Sequence, residues 1–390
     1  MNILHIVPDV SPTRGGSLFT TLGLARAQVS LGHDVHIVAT DYGYKELARA
    51  NHLSIDLFPC RLDDWRWSPE MVRGLPGLLR DREIVHIHTV WEFPVLAGAR
   101  ACRKAGKPYI IKPGGMLDAT CLANNAWKKK PYMYLLLKKV FRDASAFHFT
   151  SEMEKRDVLS QGLNPAGFIV PLGIDLSVWE QLPSREAFRE KFPELAGRIV
   201  VLFLGRLDKV KQPEVIIRAF DDICGKDNNY VLVLAGPGET QYVSSLKDLV
   251  YRLGLSKKVV FTGLLRADAV REAYCTAEIF ILPSLHENFG LSVAEAMAAG
   301  CPVIISDRVH IFPAILKAGA GLVGPPTVEA FSGMLKKLIS DEALRKRMGE
   351  NGRALVFREY TWEKVAGDMT AVYEDILSGS RNSPAWNGCV

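Results

Sequence analysis

The chain has 390 residues, 48% apolar and 23% charged, with 32 Gly, 21 Pro and a formal net charge of +5. This balance excludes a mainly disordered, collagen-like or coiled-coil chain, and the length suggests two domains, each able to bury its own core. The seven cysteines are scattered, odd in number and without a C-x-x-C pair, which excludes a readable disulfide framework or zinc ribbon and favours a reducing compartment. The apolar start breaks at Pro8 without a basic leader, and no run of eighteen apolar residues follows, so a cytoplasmic location is expected. The mild positive charge permits contact with anionic lipid or nucleotide phosphate without requiring nucleic acid.

In chain order, β-branched runs alternate with amphipathic segments of helical length, the pattern of parallel sheets flanked by helices. Strands are expected at 2–7, 34–39, 83–88, 109–112, 146–149 and 167–170, with helices near 17–31, 69–79, 95–105, 131–142 and 152–161. The segment 175–198, rich in Glu, Pro and charge, interrupts the periodicity. A second series then starts, with strands at 199–204, 230–235, 259–262, 279–282 and 303–305. Its helices fall at 214–223, 240–253, 267–276, 291–299 and 328–339. A last helix spans 361–377, and the polar tail 378–390 is expected to fray. The domain expectation is 1–180, then 181–360, with 361–377 readable as a helix that packs back on the first domain. Ligands of open parallel sheets sit beyond the carboxyl ends of the strands, so two such sheets facing each other would set a site in the cleft between them.

The most informative stretch runs from the strand at 279–282 through Glu287, Asn288, Phe289, Gly290 and Leu291 to Glu295, in a helix lined with alanines. The first N–H groups of a helix have no partner within it and carry the positive end of its dipole, so the turn at 290–292 suits a pyrophosphate. Two carboxylates flanking a phosphate site suit the hydroxyl groups of a hexose on one side and a ribose on the other. Taken singly, each Glu is as well explained as a solvated side chain.

Glu287 and Glu295 with Asn288-Phe289-Gly290-Leu291 match an E-x7-E signature, and here the sequence resembles the retaining glycosyltransferases of family 4. The resemblance implies an α/β fold of two Rossmann-like domains facing across a cleft, called GT-B, with a first domain for the acceptor and a second for the nucleotide sugar. Gly205-Arg206-Leu207 with Lys211 resembles the family element in which Arg and Lys hold the donor pyrophosphate. A forked guanidinium and a point ammonium suit a leaving diphosphate. Gln212 stands where that family usually has Gly. Gly236, within Ala235-Gly236-Pro237-Gly238, and Leu264 with Leu265, before a helix, are further donor-side candidates, the two leucines for the base. Either segment is equally readable as a plain turn.

In the first half, Gly15 and Gly16 resemble the family's N-terminal G-G loop, open to a donor phosphate or an acceptor group. No G-x-G-x-x-G or P-loop pattern occurs, which disfavours NAD and P-loop chemistry. His88, Trp91 and Glu92 end a strand where an acceptor pocket is expected. His86 and His88 share one face of that strand, but no nearby Cys or carboxylate completes a metal set, so hydrogen-bonded histidines are favoured and no metal or other cofactor is assigned. Pro113-Gly114-Gly115-Met116-Leu117-Asp118 resembles a family segment carrying a His near the reacting sugar. Gly114 takes that position here, leaving Lys112, Asp118 or His88 to supply its contacts. Glu152 and Glu154, after Thr150-Ser151, match a further segment, with Ser151 a helix cap.

The stretch 127–142 mixes Lys128, Lys129, Lys130, Lys138, Lys139 and Arg142 with Trp127, Tyr132 and Tyr134. It is readable as a solvated helix face or as a contact for an anionic membrane surface at the inner leaflet. The expectation is a metal-independent, retaining hexosyltransferase using a nucleotide sugar, UDP-hexose by family frequency, and a saccharide or lipid-linked acceptor of polysaccharide assembly. Arg206, Lys211 and Glu287 are its catalytic candidates. The alternatives are an epimerase or phosphorylase on the same scaffold, or an inactive sugar-nucleotide-binding or assembly subunit.

Overall fold

Continuous apolar runs such as Ile199–Leu204 can be satisfied only by strands covered on both faces, and parallel sheets with flanking helices provide that cover. The computed structural model of the protein describes residues 1–11, 16–43, 53–123, 125–266 and 268–387. The chain divides into two compact units, Met1–Gly173 with Trp362–Val390, and Ile174–Thr361. Both are Rossmann-like.

Among the described residues, the first unit carries seven strands: β1 (Asn2–Asp9), β2 (Asp34–Thr40), β3 (Ser54–Phe58), β4 (Ile84–His88), β5 (Tyr109–Lys112), β6 (Ala146–Phe149) and β7 (Gly167–Ile169). They form one parallel sheet in the order β3-β2-β1-β4-β5-β6-β7. The second unit carries β8 (Ile199–Leu204), β9 (Tyr230–Ala235), β10 (Val259–Gly263), β11 (Ile279–Leu282), β12 (Val303–Ser306) and β13 (Gly321–Gly324), ordered β10-β9-β8-β11-β12-β13. In each sheet the strand order reverses beside the first strand, between β1 and β4 and between β8 and β11. Such switch points open a crevice at the carboxyl ends, where ligands of this architecture bind.

The helix Trp362–Ser378 belongs to the first unit. Its leading indole lies against two glycines: a Cβ on Gly23 would stand 2.3 Å from the Trp362 ring and one on Gly173 2.4 Å from it. Tyr373, further along, is wholly buried and its hydroxyl meets His86 Nδ1 at 2.7 Å. The described part of the tail, 379–387, is anchored, where fraying was expected. Asp375 accepts hydrogen bonds from the Ser383 N–H (2.7 Å), the Ser380 hydroxyl (2.7 Å) and the Trp386 indole N–H (2.9 Å). Trp386 also meets Phe168 edge-on at 5.5 Å.

Several elements depart from the periodicity. The edge strand β3 is half-exposed and carries Asp56, and β13 is four residues bounded by glycines, so neither has the buried apolar run that marks a central strand. The segment expected to separate the domains folds into the second unit, as the helices Ser177–Glu180 and Arg185–Lys191. The long helix Glu342–Glu359 is polar on most sides, which hides its period. Gly349 and Gly352 bring it close to the 291–298 helix region, facing the Gly300 carbonyl and Met297.

Candidate functional site

In the second unit the residues singled out in the sequence leave the carboxyl ends of four adjacent strands, β10, β9, β8 and β11. Gly205 follows β8 and Gly236 follows β9. A Cβ on Gly236 would lie 1.8 Å from the Gly205 carbonyl oxygen, so only glycine permits these two strand exits to touch. The Gly236 N–H bonds the Gly263 carbonyl at 2.8 Å, tying in β10, and Leu207 donates to the Pro237 carbonyl at 2.7 Å. Beyond Gly263, Leu264 is exposed and Leu265 half-buried.

Arg206 extends into solvent, its side chain 75% exposed, and pairs with Asp208 at 3.3 Å. The other carboxylate oxygen of Asp208 accepts the N–H groups of Val210 and Lys211, each at 3.0 Å. Asp208 thus shapes the loop that presents both cations, a role its identity alone did not announce. Lys211 is largely buried and forms an ion pair with Glu287. Burial lowers its ammonium to about pKa 8, against the pull of Asp208. Gln212 has φ 50° and ψ 51°, the left-handed conformation that glycine adopts without strain, so the backbone here is one that glycine would suit.

Glu287 is fixed from the backbone. Its N–H bonds the Arg308 carbonyl at 3.1 Å, and its carbonyl accepts the His310 N–H at 3.0 Å. The Leu285 N–H reaches the Val210 carbonyl at 2.8 Å, joining the β11 exit to the β8 exit. Phe289 is buried edge-on against Tyr360 at 5.3 Å, and Asn288 is half-buried beside it. Gly290 then turns left-handed, φ 88°, with Val309 only 2.9 Å from where a Cβ would stand, and opens the helix Leu291–Ala298. Within that helix, Glu295 accepts a hydrogen bond from the Tyr274 hydroxyl at 3.0 Å. Burial pushes its carboxyl up to about 7, opposed by that bond. Two cations and a helix start therefore meet at the β8/β11 switch point, with Glu287 among them, while Glu295 is held to the Tyr274 side of its helix.

The first-unit candidates follow β1, β4 and β5. Gly15 lies outside the described residues; Gly16 begins the helix Gly16–Ser30. His88 is buried, bonded through Nε2 to His5 Nδ1 at 2.9 Å and through Nδ1 to the Thr21 hydroxyl at 3.2 Å. Trp91 is half-buried and donates its indole N–H to the Met116 carbonyl at 3.2 Å, tying the β4 exit to the loop after β5. In that loop Gly114 and Gly115 are both left-handed, and Asp118, buried, accepts the Cys121 N–H at 2.9 Å as a helix cap. Lys112 is buried at the end of β5, and desolvation lowers it to about pKa 8.

The arrangement turns on Glu154, quoted in the sequence only as part of a motif. Its buried carboxylate accepts the Gly115 N–H at 2.7 Å, the Thr150 N–H at 2.7 Å and the Thr150 hydroxyl at 2.9 Å, holding the loop after β5 against the β6 exit. Nothing in the residue type separates it from exposed glutamates; only the burial does.

Behind these exits lies a buried histidine network. His5 Nε2 meets the Gln28 side-chain oxygen at 2.8 Å, His148 Nδ1 meets His86 Nε2 at 3.3 Å, and His148 Nε2 meets the Val170 carbonyl at 2.8 Å. His5, His86 and His88 bring ring nitrogens within 4.8 Å of one another, a spacing able to hold a metal ion. Both nitrogens of each ring are already bonded, so the cluster is satisfied as neutral imidazoles.

Residues 14–178 match the family described as Glycosyltransferase Family 4, and residues 184–355 match Glycosyl transferases group 1. The chain is 27% identical over 380 residues to the uncharacterized glycosyltransferase MJ1607 of Methanocaldococcus jannaschii, covering 92% of this chain and 94% of that one. It is 30% identical over 254 residues to a D-inositol 3-phosphate glycosyltransferase of Kineococcus radiotolerans, a match over 60% of this chain and 58% of that relative's length. In fold it is similar to Anabaena Alr3699/HepE, solved in complex with UDP, with a TM-score of 0.81, 17% identity and coverage of 96% and 100% of the two chains. It is also similar to WaaG, a glycosyltransferase involved in lipopolysaccharide biosynthesis, with a TM-score of 0.72, 19% identity and coverage of 97% and 100%. Family matches laid end to end over residues 14–178 and 184–355, on two parallel α/β sheets, support a GT-B glycosyltransferase of the family 4 type.

Proposed function

We propose that this protein is a retaining hexosyltransferase that takes its sugar from a nucleotide sugar, UDP-hexose in the first instance, and passes it to a saccharide or lipid-linked acceptor in polysaccharide biosynthesis. The observation that carries the proposal is the meeting of Arg206, the Lys211–Glu287 pair and the helix start at Leu291 and Ser292, whose N–H groups have no partner within the helix, at one switch point. In this reading the donor diphosphate lies on those N–H groups. Lys211 exchanges its partner Glu287 for phosphate oxygens, and Arg206 folds over from solvent. Glu287, released, takes up sugar hydroxyls, and Glu295 serves the ribose. Leu264 and Leu265 supply apolar contact to the base.

As the glycosidic bond breaks, charge grows on the leaving diphosphate, and fixed cations and N–H groups stabilise it most at that moment. No protein nucleophile is required if the leaving phosphate accepts the acceptor proton from the same face. The first unit offers Trp91, Lys112, Asp118 and the loop clamped by Glu154 for the acceptor. Support for a UDP donor comes from the fold likeness to HepE, solved with UDP and with UDP-glucose.

The test is calorimetry with UDP-, GDP- and ADP-sugars, followed by donor hydrolysis and the anomeric configuration of the product. Arg206→Ala is expected to lower turnover about a hundredfold, the scale of losing one charge-stabilising donor, with an unchanged melting temperature because the side chain is exposed. Unaltered turnover in this variant, or no heat with any nucleotide sugar, overturns the proposal. The absence of an imidazole at Gly114 favours a second reading, a sugar-nucleotide-binding subunit. Donor binding without hydrolysis or transfer to any acceptor would select it.

A further inference from the structure

The structure resolves the segment 126–142 into a continuous helical run with two opposite faces. It is the α-helix Ala126–Tyr132, a π turn Met133–Leu137 and the α-helix Lys138–Arg142. Leu137, Val140 and Phe141 are buried and join the core of the first unit. The outward face is apolar where a soluble surface is usually polar: Trp127 is 74% exposed, Tyr134 68%, Leu135 72% and Leu136 43%. Trp127, Pro131, Tyr134, Leu135 and Lys138 follow helical spacing, so they form a stripe along the helix. The wide π turn falls on this stripe just after Pro131, which has no N–H to give to the helix.

Basic residues surround the stripe. The segment holds six Lys and Arg and no Asp or Glu. Lys129 turns inward to the Cys121 carbonyl and the Trp91 ring, and Arg142 pairs with Asp143. Lys128, Lys130, Lys138 and Lys139 form no ion pair with a described residue. Lys128 and Lys138 lie over the rings of Trp127 and Tyr134, each at 5.0 Å, so charge and apolar surface are presented together. Among the described residues no helix is long and apolar enough to cross a membrane.

We propose that this face docks on the surface of an anionic lipid bilayer, with Trp127, Tyr134, Leu135 and Leu136 entering the headgroup boundary and the four lysines meeting lipid phosphates. Charge complementarity decides the occupant. A second copy of the chain would set four unpaired lysines against four more, and a nucleic acid would leave the aliphatic side chains without apolar cover. An anionic bilayer answers both parts of the face. The inference does not depend on sugar transfer, since docking needs no turnover.

The full chain is sedimented with vesicles of phosphatidylcholine alone and of phosphatidylcholine with phosphatidylglycerol, at low and high salt. Binding to the anionic vesicles, weakened by salt, is expected, with little on the neutral ones. Replacing Lys128, Lys130, Lys138 and Lys139 together by Gln should weaken it at least about tenfold. The pair Trp127→Ser and Leu135→Ser should weaken it comparably, while Phe19→Ser, on an exposed apolar residue of another helix, should not. All of these side chains are exposed, and thermal unfolding of each variant confirms that the fold is kept. Equal binding to both vesicles, no binding to either, or unchanged binding by the lysine variant overturns the proposal. So does sedimentation that RNA abolishes and no vesicle composition restores.

Discussion

Acidification should destabilise the first unit through its histidines. His5, His86, His88 and His148 are buried in one network, and burial, with mutual repulsion and the nearby Lys112 charge, holds every one below the usual histidine value, His5 at about 4 and His148 at about 3. Protonating His5, whose Nε2 already donates to the Gln28 oxygen, would also set its Nδ1 as a second donor against the His88 Nε2–H across their 2.9 Å contact. In the unfolded chain the same side chains titrate near 6.5, so the unfolded state binds more protons between about pH 6.5 and 4. Stability is therefore complete above about pH 6.5 and falls as the pH drops toward the native values. A histidine with a native pKa of about 4 loses about 1.4 kcal/mol by about pH 5.5. His86 and His88 act in the same direction, Glu154, whose carboxyl burial raises so that the native state takes up a proton, acts against them, and His5 and His148 alone lose about 3 kcal/mol. That is a substantial part of a stability of about 5–15 kcal/mol, or about 10 °C in melting temperature for a unit of this size. In the second unit Glu295, pushed up to about 7, acts with the opposite sign and adds stability as the pH falls from about 7.5 to 5.5. Hydrogen exchange on the full chain at these two pH values reads both: amides of 2–9 and 84–88 should lose protection while those of 199–204 do not. Equal protection of the first set at both values would refute the reasoning.

Three substitutions probe the backbone and the tail. Gly236→Ala sets a methyl group against the Gly205 carbonyl and should cost at least about 3 kcal/mol in chemical denaturation; a loss under about 1 kcal/mol would show that the two strand exits move apart freely. Gln212→Gly should be neutral or stabilising by up to about 1 kcal/mol, because relief of the left-handed strain opposes the added freedom of the unfolded chain. The same denaturation curves read it, and a clear destabilisation would contradict the strain. Asp375→Ala removes three hydrogen bonds that anchor the tail and should cost about 2 kcal/mol and expose 380–387 to proteolysis; an unchanged cleavage pattern would mean that Trp386 packing alone holds the tail.

Much of this protein is local in origin and therefore readable along the chain. β8, β9 and β11 follow from uninterrupted apolar runs, and the Gly290 helix start and the Arg206–Lys211 pair stand out because they fall together where strands of an open parallel sheet end. Edge elements carry no such run: β3 and β13 exist because a neighbouring strand offers hydrogen bonds, and Glu342–Glu359 because Gly349 and Gly352 let it reach a surface formed elsewhere. The roles of Asp208, Tyr274 and Glu154 were likewise decided by what surrounds them, since an isolated carboxylate or phenol has the same identity whether solvated or clamped. The histidines show the division most clearly. Their alternation in β4 marks a shared face, but that four imidazoles from β1, β4 and β6 meet under Tyr373 depends on sheet order and on the return of the last helix. Burial and long-range pairing, absent from any short stretch of sequence, convert those residue types into a network that must stay neutral.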